Sequence, residues 1–138
     1  MLVGVDPGRE KCGLALVHPD GQLVWRKVVA SPMLVEQIGQ LVAKFPVSTL
    51  IIGNQTTSDY WQAQLGQYYP GLPITAVDER FSSEQARLRY WQFNPPRGLE
   101  RFIPEGLRIP PQPYDDIVAL ILLERYLQNP EHYPVHRA

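Results

Sequence analysis

Short apolar runs alternate along this chain with segments in which apolar residues recur every three or four positions. The short runs predict five strands, and the helically spaced segments predict four helices. Turn-forming residues, Pro7-Gly8 and Pro19-Asp20-Gly21, separate the first three strands, which indicates an antiparallel meander. The predicted strands are Met1–Asp6, Cys12–Val17, Leu23–Val29, Thr49–Ile52 and Ile74–Val77.

Start and stop signals place the helices. Ser31-Pro32 predicts a helix with Ser31 as its cap, and Pro46 ends it. Ser82 begins a capping-box pattern, which predicts a third helix with Ser82 as its cap. The remaining predictions are a second helix through Trp61, Leu65 and Tyr68, an irregular proline-rich loop over Asn94–Pro113, and a buried last helix over Asp115–Leu127.

Three carboxylates stand at the ends of apolar elements. Asp6 closes the first strand, Glu79 follows the fifth strand, and Asp115 opens the last helix. Each has a simple explanation alone, as a turn residue, a charged strand end or a residue that complements the helix dipole. Their coincidence predicts a shared site for Mg²⁺ or Mn²⁺, because hard cations prefer oxygen ligands. Asp116 could supply a ligand in place of, or beside, Asp115.

Composition indicates one ordinary globular domain over residues 1–138, with 44% hydrophobic and 20% charged residues. Cys12 is the single cysteine, no apolar run approaches membrane-spanning length, and no signal peptide is visible. We therefore expect a cytoplasmic protein that does not enter a membrane.

Charge is unevenly distributed in this chain of net charge −1. Six of the ten arginines lie between Arg80 and Arg108, against three acidic residues, and aromatic residues are interleaved among them. Arginine forks fit phosphates and aromatic rings stack on unpaired bases, so the stretch predicts nucleic-acid contact. A solvated helix face followed by a loop anchored on the core is the alternative. The predicted phosphate contacts are Arg80, Arg87, Arg97, Arg101 and Arg108.

Three motifs together resemble the YqgF/RuvX family of bacterial ribonuclease-H-like proteins. They are Gly4-Val5-Asp6-Pro7-Gly8 with Cys12–Leu16, Asp78-Glu79-Arg80-Phe81-Ser82-Ser83-Glu84-Gln85-Ala86-Arg87, and Asp115 through Ala119–Leu127. The resemblance covers essentially the whole chain. It implies an α/β, ribonuclease-H-like fold: a five-stranded mixed sheet, three antiparallel strands then two parallel additions, flanked by helices.

The family resemblance also implies a function. The protein would be a metal-dependent nuclease that matures the 5′ end of pre-16S ribosomal RNA. Asp6, Glu79 and Asp115 match the catalytic, metal-binding acids of the family. The chain departs from the family in the segment Ile52–Ser58, where a Gly-Leu-Pro-type run is usual, and in the proline- and arginine-rich stretch before the last helix.

Two other functions remain open from the sequence. A Holliday junction resolvase-like DNA endonuclease would need a dimer, because two strands must be cut. A non-catalytic nucleic-acid-binding module would bind without metal-dependent turnover. The expected partner is therefore RNA, specifically pre-rRNA, or structured DNA, and the expected state is a monomer or homodimer.

Overall fold

A five-stranded sheet forms the centre of the protein, whose computed structural model describes residues 1–55, 57–104 and 107–132. The strands are β1 (Leu2–Asp6), β2 (Lys11–Val17), β3 (Leu23–Ala30), β4 (Thr49–Gly53) and β5 (Ile74–Val77). The helices are α1 (Leu34–Lys44), α2 (Ser58–Tyr68), α3 (Ser82–Phe93) and α4 (Asp115–Gln128). Short 3-10 helices lie at Ser31–Met33, Gly98–Phe102 and Pro130–His132.

The strand order is β3-β2-β1-β4-β5. Strands β1, β2 and β3 are antiparallel, whereas β4 is parallel to β1 and β5 is parallel to β4. This arrangement confirms the predicted mixed sheet of the ribonuclease-H-like fold. Because β1, β4 and β5 run in the same direction, their carboxyl ends, at Asp6, Gly53 and Val77, lie along one edge of the sheet.

Helices cover both faces of the sheet. Val3 and Val5 of β1 point into a core shared with Leu34 and Ile38 of α1 and Leu65 of α2. Alternate strand residues point to the opposite face, where the core is built from α3 and α4. The middle of α4, from Ile117 to Leu123, is buried throughout, as the sequence predicted.

Two glycines let α4 approach the sheet closely. A Cβ at Gly4 would lie 2.5 Å from the carbonyl oxygen of Ala119, and a Cβ at Gly13 would overlap the carbonyl oxygen of Asp115. Gly13 is paired with Asp6 across the β1–β2 ladder. The first turn of α4 therefore sits directly against the strand pair that carries Asp6.

The predicted helix caps were wrong at both serines. Ser31 begins the 3-10 helix that precedes α1, and its hydroxyl donates to the carbonyl of Gly8 at 2.9 Å. Ser82 is the first residue inside α3, and its hydroxyl donates to the carbonyl of Glu79 at 2.6 Å. Both hydroxyls bind carbonyls of turns that follow strands, so neither satisfies the free N–H groups of its helix.

The predicted irregular loop before α4 is confirmed over residues 94–104 and 107–113, with the short 3-10 helix Gly98–Phe102 inside it; residues 105 and 106 of the predicted loop lie outside the described residues. Within the part of the chain that the structure describes, no helix has the length and apolar character needed to cross a membrane.

Candidate active site

Asp6 and Glu79 meet at the carboxyl edge of the parallel strands. Strand β4 lies between the strands that carry them, and its last residue is Gly53. A Cβ at Gly53 would lie 2.6 Å from Oε2 of Glu79. The absence of a side chain at Gly53 therefore leaves the space that the Glu79 carboxylate occupies beside Asp6.

The electrostatics of Asp6 reflect this crowding. Burial, followed by the negative charges of Glu79 and Asp115, raises the pKa of Asp6 from 3.8 to about 8. Burial also raises the pKa of Glu79. The two carboxyl groups are close enough to hydrogen-bond when Asp6 carries a proton. The raised pKa of Asp6 favours its protonated form near neutral pH as long as no cation neutralises the two groups.

Glu79 is held in place by the loop that follows β4. The backbone N–H of Gln55 donates to Oε1 of Glu79 at 2.6 Å, and the side-chain oxygen of Asn54 accepts from the Glu79 N–H at 3.4 Å. The segment that departs from the family pattern thus lines the site, although its Thr56 lies outside the described residues. The backbone N–H of this segment orients the Glu79 carboxylate, and such a contact needs no particular side chain. This backbone contact could therefore not be predicted from the residue types of the segment.

An open cleft of about 550 Å³ joins Asp6 to Asp115. Asp115 is near enough for its charge to raise the pKa of Asp6. The cleft is lined by Asp6, Glu10, Lys11, Ser83, Pro113, Tyr114, Asp115 and Val118.

Lys11 and Ser83 were missed as members of the site. Lys11 begins β2, and the antiparallel pairing of β1 with β2 carries it back beside Asp6. Ser83 lies in the first turn of α3, which begins directly behind Glu79. The short polar turn between β1 and β2 was the available signal for Lys11, because a tight hairpin brings the residues after the turn back beside the strand that precedes it.

The neighbouring acid of each motif, Asp116 or Asp78, is held in an ion pair and is not among the residues that line the cleft. Asp116 is buried, and its Oδ2 accepts from the Arg26 guanidinium at 2.6 Å. Asp78 is paired with Arg80 at 3.1 Å, and the backbone N–H of Arg80 lowers the pKa of Asp78. One acid of each pair is thus held in an ion pair, whereas Asp115 lines the cleft and Glu79 lies beside Asp6.

The predicted phosphate-binding arginines fall into two groups. Arg80 and Arg101 have exposed side chains with weak local ties, to Asp78 and to the carbonyl of Gly98 at 3.3 Å. The guanidiniums of Arg87 and of the exposed Arg97 make no hydrogen bond or ion pair with any residue that the structure describes. These four guanidiniums are available to a ligand.

Arg108 has a different environment. Its Nε donates to the carbonyls of Glu100 and Ile103 at 3.1 and 2.9 Å, and its guanidinium lies 5.9 Å from the Trp91 ring centre. These contacts match the alternative of a loop anchored on the core. Arg108 therefore holds the shape of the segment that carries Arg97 and Arg101.

Arg125 was not among the predicted site residues. From α4 it donates to the carbonyl of Asp78 at 2.7 Å and to Oε1 of Gln85 at 3.0 Å. It ties the last helix to the Asp-Glu-Arg turn, and its charge favours the ionised form of Glu79.

The three acids around Asp6 fit a hard divalent cation by the chemistry of their oxygens. Asp6, Glu79 and Asp115 offer only carboxylate oxygens, and the first two are crowded enough to share a proton. In the present side-chain conformations, no group of three such ligands within the described ranges is close enough to hold an ion. Mutual repulsion between uncompensated carboxylates is the physical reason to expect such separation.

Similarity to known proteins supports the family assignment. No family model matches the chain. A protein of Porphyromonas gingivalis named "Putative pre-16S rRNA nuclease" is 28% identical over 145 aligned residues, covering 94% of this chain and 97% of its own length. A protein of Bacteroides thetaiotaomicron with the same name is 30% identical over 141 aligned residues, covering 93% of this chain and 96% of its own length.

Solved structures support the fold. The Thermus thermophilus RuvC structure superposes with a TM-score of 0.60 at 15% identity, covering 98% of this chain and 99% of RuvC. The T. thermophilus RuvC complex with a Holliday junction substrate gives a TM-score of 0.53 at the same identity. At these identities the likeness concerns the ribonuclease-H-like fold. With 30% identity to a relative over almost its whole length and with this fold, the chain belongs to the YqgF/RuvX family.

Proposed function

We propose that this protein is a metal-dependent nuclease that matures the 5′ end of pre-16S ribosomal RNA in the cytoplasm. The observation that carries the proposal is that Asp6 and Asp115 line one open cleft while Glu79 lies beside Asp6, although 73 and 36 positions separate the three acids along the chain. The names of the relatives supply the RNA substrate.

Asp6, Glu79 and Asp115 would hold Mg²⁺ or Mn²⁺, which when bound supplies an activated water and stabilises the leaving oxygen of the phosphodiester. Asp6 must release its proton for this role. Glu79 is already oriented by the N–H of Gln55, which leaves its Oε2 free to act as a ligand. Lys11, an exposed cation in the same cleft, is placed to hold the scissile phosphate against these carboxylates.

The proline- and arginine-rich loop over residues 94–113 would bind the flanking RNA backbone. The loop ends at Pro113, which lines the cleft together with Tyr114 and Asp115. Arg97 and Arg101 would contact phosphates, and Arg80 and Arg87 would extend the contact along the turn and helix that follow Glu79. Arg108 would keep the segment in shape, because its contacts are with backbone carbonyls of the segment itself.

A resolvase acting on branched DNA is the second candidate, and the RuvC-like fold is the observation that favours it. It requires two cooperating sites and hence a dimer. A binding module without turnover is the third reading. It would keep the arginine contacts, and the carboxylates would have no role in catalysis.

Incubation with two end-labelled substrates separates these candidates. One is an RNA spanning the 5′ end of 16S rRNA with its precursor extension, and the other is a four-way DNA junction, each with and without Mg²⁺ or Mn²⁺. We expect metal-dependent cleavage of the RNA by the wild-type protein and by Asp59→Asn, a control that removes an exposed carboxylate of α2. Asp6→Asn should be inactive. Cleavage of the junction alone would replace the proposal with the resolvase, and RNA binding without cleavage would replace it with the binding module.

A further inference from the structure

The turn that follows β5 contains an unusual backbone conformation. The Ser82 N–H donates to the carbonyl of Glu79 at 3.0 Å, which closes a four-residue turn with Phe81 in its third position. Phe81 has φ 63° and ψ 6°, and it is the one non-glycine residue with positive φ within the described ranges. Such a position is usually filled by glycine or asparagine, because the Cβ of a bulky residue is crowded there.

The Phe81 side chain lies mostly outside the core. It is 70% exposed, and it has no stacking or cation–π partner in the part of the chain that the structure describes. Neither packing nor backbone preference explains a phenylalanine here. Strained, exposed residues of this kind concentrate at functional sites, because the strain persists only where the surroundings impose it.

The location of Phe81 connects it to the cleft. It lies two residues after Glu79, within about 7 Å along the chain, and two residues before Ser83, which lines the cleft. Ser82 fixes the turn through both its N–H and its hydroxyl, which donate to the same carbonyl of Glu79. The ring is therefore attached to the same turn as the carboxylate and cannot shift far without moving it.

We propose that the exposed ring of Phe81 stacks on an unpaired base next to the scissile phosphate. This inference rests on the proposed nuclease function and adds a recognition element to it. Stacking accepts every base, because each has a π-face, but it requires a base that is free of its neighbours. The ring would thereby restrict cleavage to single-stranded or unstacked positions without reading their sequence.

The stacking and nuclease roles can be tested separately by measuring binding in the Asp6→Asn background. The probe is a single-stranded RNA from the 5′ end of pre-16S rRNA, with 2-aminopurine at the position next to the expected cleavage site. We expect the fluorescence to be quenched on binding. Phe81→Gly should lose the quenching and raise Kd about tenfold, the size expected for one base–aromatic stack. Phe81→Tyr should keep both.

Stability controls guard against a trivial loss of structure. Phe81→Gly should raise Tm, because glycine relaxes the positive φ, so a weaker complex in a more stable protein cannot come from unfolding. Phe81→Leu retains apolar bulk and lacks a π-face, and it should behave like Phe81→Gly in binding. In the Asp6 wild-type background, these variants should raise KM more than they lower kcat.

Unchanged quenching and Kd in Phe81→Gly would overturn the stacking proposal, even if the wild-type protein cleaves RNA. Absence of quenching by the Asp6→Asn protein itself would also overturn it. Loss of quenching in Phe81→Gly, combined with no cleavage by the wild-type protein, would support the stack and contradict the nuclease. A control duplex without unpaired bases tests whether the contact is a stack. If Phe81→Gly weakened binding of the single-stranded RNA and binding of this duplex equally, Phe81 would make a contact other than stacking, and the proposal would fail.

Discussion

Replacement of Asp6 by asparagine should stabilise the metal-free protein in a pH-dependent way. The folded protein raises the pKa of Asp6 from 3.8 to about 8, chiefly through burial and then through the charges of Glu79 and Asp115. At a pH between these two pKa values, Asp6 keeps its proton in the folded state and has lost it in the unfolded state. The stability of the wild-type protein contributed by Asp6 therefore falls as the pH rises through this window, and levels off above about pH 8.

The size of the effect follows from the pKa difference. Each pKa unit corresponds to about 1.4 kcal/mol, so the full difference sets an upper limit of about 5–6 kcal/mol at pH 8. Water in the open cleft screens much of this, and we expect Asp6→Asn to gain about 1–3 kcal/mol at pH 8 and close to nothing at pH 4. Asparagine keeps the shape of the side chain and removes only the charge.

Thermal unfolding in the presence of a chelator measures this difference. At pH 8 the Tm of Asp6→Asn should exceed that of the wild type by about 3–10 °C, and the gap should close towards pH 4. Asp59→Asn, which removes an exposed carboxylate far less buried than that of Asp6, is the control and should leave Tm close to that of the wild type. A gap that is constant across this range, or an Asp6→Asn protein that is less stable at pH 8, would refute the proposed crowding of carboxylates.

Three further predictions concern the surroundings of the site. Changing Arg97 and Arg101 to alanine should raise Kd for RNA and flatten its salt dependence with little change in cleavage at saturating substrate, whereas a lower Tm with an unchanged salt slope would mean that they only pack. Gly13→Ala should lower stability by several kcal/mol and reduce cleavage, because its Cβ would displace the start of α4, while Gly71→Ala, with open space around it, should change neither. Asp116→Asn should lower Tm by weakening a buried ion pair and should retain cleavage; loss of cleavage with an unchanged Tm would instead indicate a metal ligand.

The regular elements could be predicted because each leaves a local pattern. The strand limits, the four helices and the irregular loop follow from apolar spacing and from proline and glycine punctuation. The sequence could predict that Asp78 and Glu79 point to opposite sides, because adjacent residues in extended backbone alternate in direction. It could not predict which of the two points towards Asp6. Which of the two lies beside Asp6 depends on the ion pair of Asp78 with Arg80 and on the hydrogen bond of Glu79 with Gln55, and Gln55 is distant in sequence.

The parts that could not be predicted depend on contacts between distant segments. Gly13 and Gly53 look like ordinary strand residues, yet their missing side chains admit the start of α4 and the Glu79 carboxylate. Ser31 and Ser82 have the composition of helix caps, but nearby strand-end carbonyls compete for their hydroxyls. Local propensity cannot reveal that competition.

The most direct test of the central claim is the rate of cleavage of 5′-end pre-16S RNA as a function of Mn²⁺ concentration. The wild-type protein and Asp59→Asn should show the same saturable increase from no activity without metal. Asp6→Asn, Glu79→Gln and Asp115→Asn should each lower the maximal rate by at least about 100-fold while remaining folded. Metal-dependent cleavage that persists at the wild-type rate in all three variants would contradict the assignment of these carboxylates as the metal site.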